Sequence, residues 1–257
     1  MLSKSNLILA AAPTEVMSAR AYGLALAHMA YRVGGGPHLF RANLPVSARS
    51  GLLLVGDAGF DGRGDPRPFC QEVLRECSAR GYTGVVFDFD RHFPVLGRAV
   101  AELAPLLARR GWPLYVSEPY GRYSETAKVL IPTALSGGTL RGRLEEAAAQ
   151  YGAGRVALAV ERVAADFFLP APSGQGHPLS QEELKALMDE REPAVFFSNE
   201  LCAHYFTYMN RQNGAHFVLF DDAASIRKKL YLARSLDISD ALLPYPAVAD
   251  ILRDILA

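Results

Sequence analysis

The sequence is poor in cysteine. It holds three, Cys70, Cys77 and Cys202, in 257 residues. An odd number at these spacings is no disulfide framework, and a reducing compartment fits it best. Each thiol is expected as a small buried apolar side chain. A charge excess of either sign is also missing. Lys plus Arg number 27 and Asp plus Glu number 27, so no broad field draws nucleic acid or an anionic membrane to the chain. No apolar run approaches the roughly 18 residues of a membrane span. His38, His92, His177, His204 and His216 lack zinc-ligand spacing, so neither a metal nor another cofactor is expected. A secretory leader is not evident either. Lys4 is the one basic residue ahead of a short apolar run, 7–11, which reads as a strand. The chain as written is therefore expected in the cytoplasm; a leader ahead of it would place it outside the cell.

What is present is a large apolar fraction, 50% of the residues, arranged as short runs between helical patterns. Runs at 7–11, 38–42, 51–55, 84–90, 113–117, 128–133, 155–160 and 241–243 read as eight strands. Thr14 can cap a helix whose stripe is Met17, Ala21, Leu24 and Met29. Further helices are expected at 69–80, 95–110, 140–151, 181–190 and 223–236. Ser180 and Glu183 form a capping-box pattern. Gly81, Gly111 and Gly152 stand where helices stop. Strand–helix alternation argues an α/β fold with a parallel sheet. Eight repeats in about 250 residues argue a (β/α)8 TIM barrel. The competing open doubly wound sheet lacks a Gly-rich nucleotide loop after its first strand. Between the seventh and eighth strands, about 163–221, lies a Phe- and Tyr-rich stretch with the hairpin turn Asn213-Gly214. It reads as a small α+β insertion within a single domain, 1–257.

Active sites of such barrels sit at the C-terminal strand ends. Asp57, Asp88, Asp90, Glu118, Tyr120, Glu161 and Arg162 fall there. Strand residues two apart share a face, so Val86, Asp88 and Asp90 share one, and Val85, Phe87 and Phe89 the other. Aspartates packed against the helices would be costly, so Asp88 and Asp90 should look inward at the mouth. Two close carboxylates raise the pKa of one of them, which keeps an acid protonated. The competing reading pairs them with Arg91 or Arg98. Glu118 and Glu161 could supply a replacement acid, and Tyr115, Tyr120 and Tyr123 could line a groove. Asp221-Asp222 should shape a turn and cap the next helix. Arg227-Lys228-Lys229 should be a solvated helix face.

The segment Gly81-Tyr82-Thr83-Gly84-Val85-Val86-Phe87-Asp88-Phe89-Asp90 resembles the fourth-strand motif of family 18 glycoside hydrolases, the chitinases and spore-cortex-lytic N-acetylglucosaminidases. A second stretch, His216-Phe217-Val218-Leu219-Phe220-Asp221-Asp222 followed by Ser225-Ile226 and Lys228-Lys229, is similar to the family's strand and helix after its insertion. Tyr205-Phe206-Thr207-Tyr208 fits the aromatic strand before it. The resemblance implies a retaining, substrate-assisted hydrolase, in which the substrate's acetamido oxygen is the nucleophile. Asp88 then matches the residue that orients the acetamido group, and Asp90 stands where the family has its acid, a Glu. Val86 and Thr83 replace two further aspartates. Residues 129–134 hold no Tyr, and Leu243-Pro244-Tyr245 stands where the family has a Trp. The implied ligand is an oligosaccharide or cell-wall glycan of β-linked N-acetylglucosamine, in contact with Glu118, Tyr120, Glu161 and Tyr245. Catalysis is expected to be weakened or lost, and the alternative is a non-catalytic glycan-binding barrel.

Overall fold

A computed structural model describes residues 6–42, 50–135, 137–171, 174–210 and 214–257. Met1 to Ser5 and the turn residue Asn213 lie outside the described residues. Nine strands form the first sheet: β1 (Leu7–Ala11), β2 (Ala25–Gly34), β3 (His38–Arg41), β4 (Leu52–Gly56), β5 (Val85–Asp88), β6 (Leu114–Ser117), β7 (Lys128–Pro132), β8 (Val156–Ala159) and, after the insertion, β14 (Asp240–Pro244). All but β3 pair in parallel in the order β1-β14-β8-β7-β6-β5-β4-β2, and β2 returns to β1. Among the described residues this is a closed eight-stranded ring. Helices α1 (Val16–Arg20), α2 (Pro66–Arg80), α3 (Pro94–Ala108), α4 (Leu140–Tyr151) and α6 (Ala223–Arg234) connect its strands, and the short α7 (Tyr245–Val248) and α8 (Leu252–Leu256) follow β14.

Closure divides the apolar residues into two layers. Ile8, Ala27, Leu54, Val86, Leu130 and Leu242 fill the interior. Their neighbours Leu9, Val55, Val85, Phe87, Val116 and Leu243 pack under the helices. Burial on both faces explains why these strands read as continuous apolar runs. The opening at the N-terminal strand ends is spanned by polar groups. The Tyr115 hydroxyl donates to Asp240 at 2.8 Å, and Lys128 forms an ion pair with the same carboxylate. Tyr115 thus belongs to the end of the barrel opposite the strand C-termini.

The second strand differs from the sequence expectation. Residues 38–42 do not enter the ring; β3 pairs antiparallel to β2 outside it. The ring strand is β2, which begins inside the segment expected as helix. Met17 and Met29 are exposed rather than part of a buried stripe. The helix stops at Arg20, and Gly23, at φ 68°, turns the chain into β2. Thr14 does not cap it; Glu15 holds the N-cap position and accepts from the Ala12 N–H at 3.0 Å. Small residues in 25–30 satisfy helical and strand spacing alike.

Between β8 and β14 stands a second, antiparallel sheet in which β9 (Ala164–Phe168), β10 (His177–Pro178), β11 (Phe196–Ser198), β12 (Ala203–Asn210) and β13 (Gly214–Phe220) pair in the order β10-β9-β13-β12-β11. Helix α5 (Gln181–Arg191) begins with the Ser180–Glu183 capping box. Its Leu184 packs on Phe206, Val218 and Phe220. Where this sheet meets the barrel, Asp221 accepts from the Val163 N–H at 2.9 Å, from Ser225 at 2.6 Å and from the Lys229 ammonium at 2.6 Å. Lys229 is 1% exposed. Of the expected solvated trio, then, Lys229 is a buried counter-ion while Lys228 is exposed. Asp222 caps α6 as expected.

Candidate functional site

The mouth is formed by the C-terminal ends of the eight strands. On β5, Val86 lies in the interior layer and Val85 and Phe87 in the outer one, where Phe89 just past the strand also packs. The two-residue period of the strand therefore carries Asp88 to the inner side, at the mouth. The bend that follows is braced from three directions. Asp57, 2% exposed, accepts from the Asp90 and Arg91 N–H groups at 3.0 and 3.1 Å. Ser117 accepts from the Phe89 N–H at 2.9 Å. The Tyr120 hydroxyl donates to the Arg91 carbonyl at 2.7 Å and accepts from the Phe93 N–H at 2.9 Å. Together they fix the backbone from which Asp90 projects.

Asp88 and Asp90 are both solvent-accessible, and among the described residues neither carboxyl is in an ion pair. Arg91 donates instead to the Phe60 carbonyl at 3.1 Å and lies over the Phe93 ring. Asp88 is open to water from above but hemmed in by the neighbouring strand ends. That desolvation, then the charges of Asp90 and Asp57, hold its carboxyl above the usual carboxylate range. Glu161, at the end of β8, has its N–H on Thr133 Oγ1 at 3.1 Å. Its pKa is also raised, chiefly by burial; Lys229 pulls it down and Asp88 pushes it up. Asp90 and Glu161 thus both lie within electrostatic reach of Asp88. Carboxyl groups gathered in one cavity, two of them with raised pKa, are suited to donating and accepting protons there.

The other expected contacts lie elsewhere. Glu118 forms an ion pair with Arg143 of α4. Tyr120 is fully buried, so its ring braces the bend and meets no ligand. Tyr245 is 8% exposed and packs edge-on to Tyr22, with ring centroids 6.2 Å apart, in the outer layer. Pro244 precedes it and a helix follows, which turns the ring outward. Arg162 is drawn to the Ala247 carbonyl at 3.1 Å and to Asp250 at 2.6 Å. Sequence reading did not assign Asp57 its brace. Nor did it find Arg32 and Phe40, which β2 and β3 bring to the rim; the helical reading of 14–29 hid the strand that carries Arg32.

Neither a protein-family model nor a curated relative matches this sequence. Solved structures do. The spore cortex-lytic enzyme SleL of Bacillus cereus superposes with a TM-score of 0.69 at 16% identity, covering 99% of this chain and 75% of that one. A chitinase from Chromobacterium violaceum gives 0.68 at 14% identity, covering 97% and 99%. A GH18 chitinase from Cycas revoluta, solved in complex with (GlcNAc)3, gives 0.63 at 13%, covering 98% and 97%. The fold is thus a (β/α)8 barrel similar to that of these chitinases and of SleL. No helix among the described residues is long and apolar enough to cross a membrane.

Proposed function

We propose that the barrel mouth binds β-linked N-acetylhexosamine glycans of the chitin or peptidoglycan type, and that the protein is glycoside hydrolase-like with slow turnover. The observation that supports this reading is the pair of neighbouring accessible carboxyls, Asp88 at the inner end of β5 and Asp90 just past it, neither in an ion pair among the described residues. Asp88, its pKa raised by burial and by the charges of Asp90 and Asp57, is the group that binds the acetamido of the sugar and aims its carbonyl oxygen at the anomeric carbon. Asp90 gives its proton to the glycosidic oxygen as the carbon–oxygen bond breaks. The acetamido oxygen closes a ring on the anomeric carbon. Water then opens that ring, giving its proton to Asp90 and leaving the configuration retained.

Slow turnover follows from the side chain at position 90. Asp is one methylene shorter than Glu, so its carboxyl stands ~1.5 Å further back, and a misplacement of about 1 Å can cost ~100-fold in rate. Glu118 cannot substitute, because Arg143 holds it. The same two features favour the second reading, a barrel that binds glycan without cleaving it. Calorimetry with an N-acetylglucosamine tetramer, alongside release of an aryl group from an aryl chitobioside, separates the readings. Wild type should bind the tetramer, Asp88→Asn should weaken binding at least tenfold, and Asp90→Glu should raise turnover about 100-fold. Binding with no turnover in either form supports the second reading. Failure of wild type to bind the tetramer or any related glycan ends both.

A further inference from the structure

Strand β2 continues past the last residue it shares with β1 and pairs with β3 as a hairpin on the rim. Its register on β4 slips on the way: His28 faces Leu53, but Tyr31 faces Val55. Three residues on β2 span two on β4, which is a β-bulge, and the extra residue resets the alternation of faces. Below the bulge, Ala27 lies in the barrel interior. Above it, Tyr31 and Val33 lie in the outer layer, which leaves Arg32 on the inner side. Without the extra residue, Tyr31 and Val33 would point inward and Arg32 would point into the jacket.

Arg32 pairs with Gly56 on β4, and Gly56 pairs with Asp88 on β5. The three form one row across the mouth. Two strand spacings put Arg32 about 10 Å from Asp88 along the backbone, with a residue that has no side chain between them. The guanidinium lies over the Phe40 ring at 5.2 Å. That ring is 45% exposed and rests on Gly34, where a Cβ would come within 2.4 Å of it. Arg32 is exposed, and among the described residues it forms no ion pair, although Asp57, Asp88, Asp90 and Glu161 stand in the same mouth. A cation supported by an aromatic face, left unneutralised and set across a bare glycine from the acids, is arranged for an anionic group of a ligand. A planar guanidinium is matched to a carboxylate by two parallel hydrogen bonds.

We propose that Arg32, seated on Phe40, is a specificity residue for a glycan whose sugar next to the one held at Asp88 carries a carboxylate, so that the mouth selects an acidic amino-sugar polymer over a neutral one. This rests on the reading of the mouth as a glycan site. The test is calorimetric titration of wild type, Arg32→Gln and Arg32→Lys with two probes. One is the neutral N-acetylglucosamine tetramer; the other is a tetrasaccharide alternating N-acetylglucosamine with N-acetylmuramic acid. Wild type should bind the acidic probe about 10- to 100-fold more tightly, the range of one charge-assisted hydrogen-bonded contact, and added salt should shrink that preference. Arg32→Gln should remove the preference while changing affinity for the neutral probe less than twofold, and Arg32→Lys should restore part of it. Equal affinity of wild type for both probes, or equal losses on both in Arg32→Gln, would overturn the inference and leave the glycan site standing. If neither probe binds wild type, the glycan reading fails and this one with it.

Discussion

Two sets of aspartates stand at strand ends of this molecule, and they are treated in opposite ways. Asp221 and Asp240 are buried and matched to cations: Lys229 and two further donors for the first, Lys128 and Tyr115 for the second. Asp88 and Asp90 are accessible and have no counter-ion among the described residues. A chain with equal numbers of acidic and basic side chains has partners to spare, yet it leaves these two unneutralised. Paired acids lock elements together; unpaired acids at a mouth remain available for a ligand. The contrast separates construction from function more sharply than acidity alone.

The largest way to break the contrast is to make a paired acid unpaired. Lys229→Met should cost about 3–5 kcal/mol, since it strands a buried carboxylate. Urea denaturation should show a lower midpoint, and adding Asp221→Asn should recover part of the loss. A smaller effect is expected at the brace. Tyr120→Phe leaves the Phe93 N–H and the Arg91 carbonyl without their partner, which should cost about 1–3 kcal/mol. It should also weaken glycan binding without touching the ligand. A loss of stability with unchanged affinity would show that the bend does not position Asp90.

The smallest effect is a slope. The pKa of Asp88 is raised above its ordinary 3.8, so around that pH the folded state holds more protons than the unfolded chain. Stability from this group is present at low pH and is lost as pH rises from about 3.8 through the raised value. Asp88→Asn should flatten the stability profile over that window and raise stability above it. An unchanged slope in the variant would place the cause in another group, Glu161 first.

Parts of this arrangement were legible in the sequence for physical reasons. The period of two along 85–90 is strict, and an aspartate in the jacket is costly, so the inward aim of Asp88 followed without coordinates. Helices with clear stops, such as those ending before Gly81 and Gly152, were equally readable. The second strand was not. A bulge breaks its alternation, and its Ala and Met residues fit either period. Glu118 read as a free acid because its partner, Arg143, is 25 residues away on another element. Lys229 is a different case, since Ile226, Lys229, Leu230 and Ala233 follow the i, i+3, i+4, i+7 spacing of a buried stripe. The pattern was there, and the charge of one member concealed it.

The three thiols have a practical consequence. Cys70, Cys77 and Cys202 are unpaired and buried, and burial pushes the first two up to about 12 and raises the third as well. Almost none of the reactive thiolate exists near neutral pH. A maleimide dye should therefore ignore the native chain, so a single cysteine introduced on the β2–β3 hairpin would be the one position labelled. Fluorescence from that dye would follow occupancy of the cavity directly, with no native residue removed to make the reporter specific.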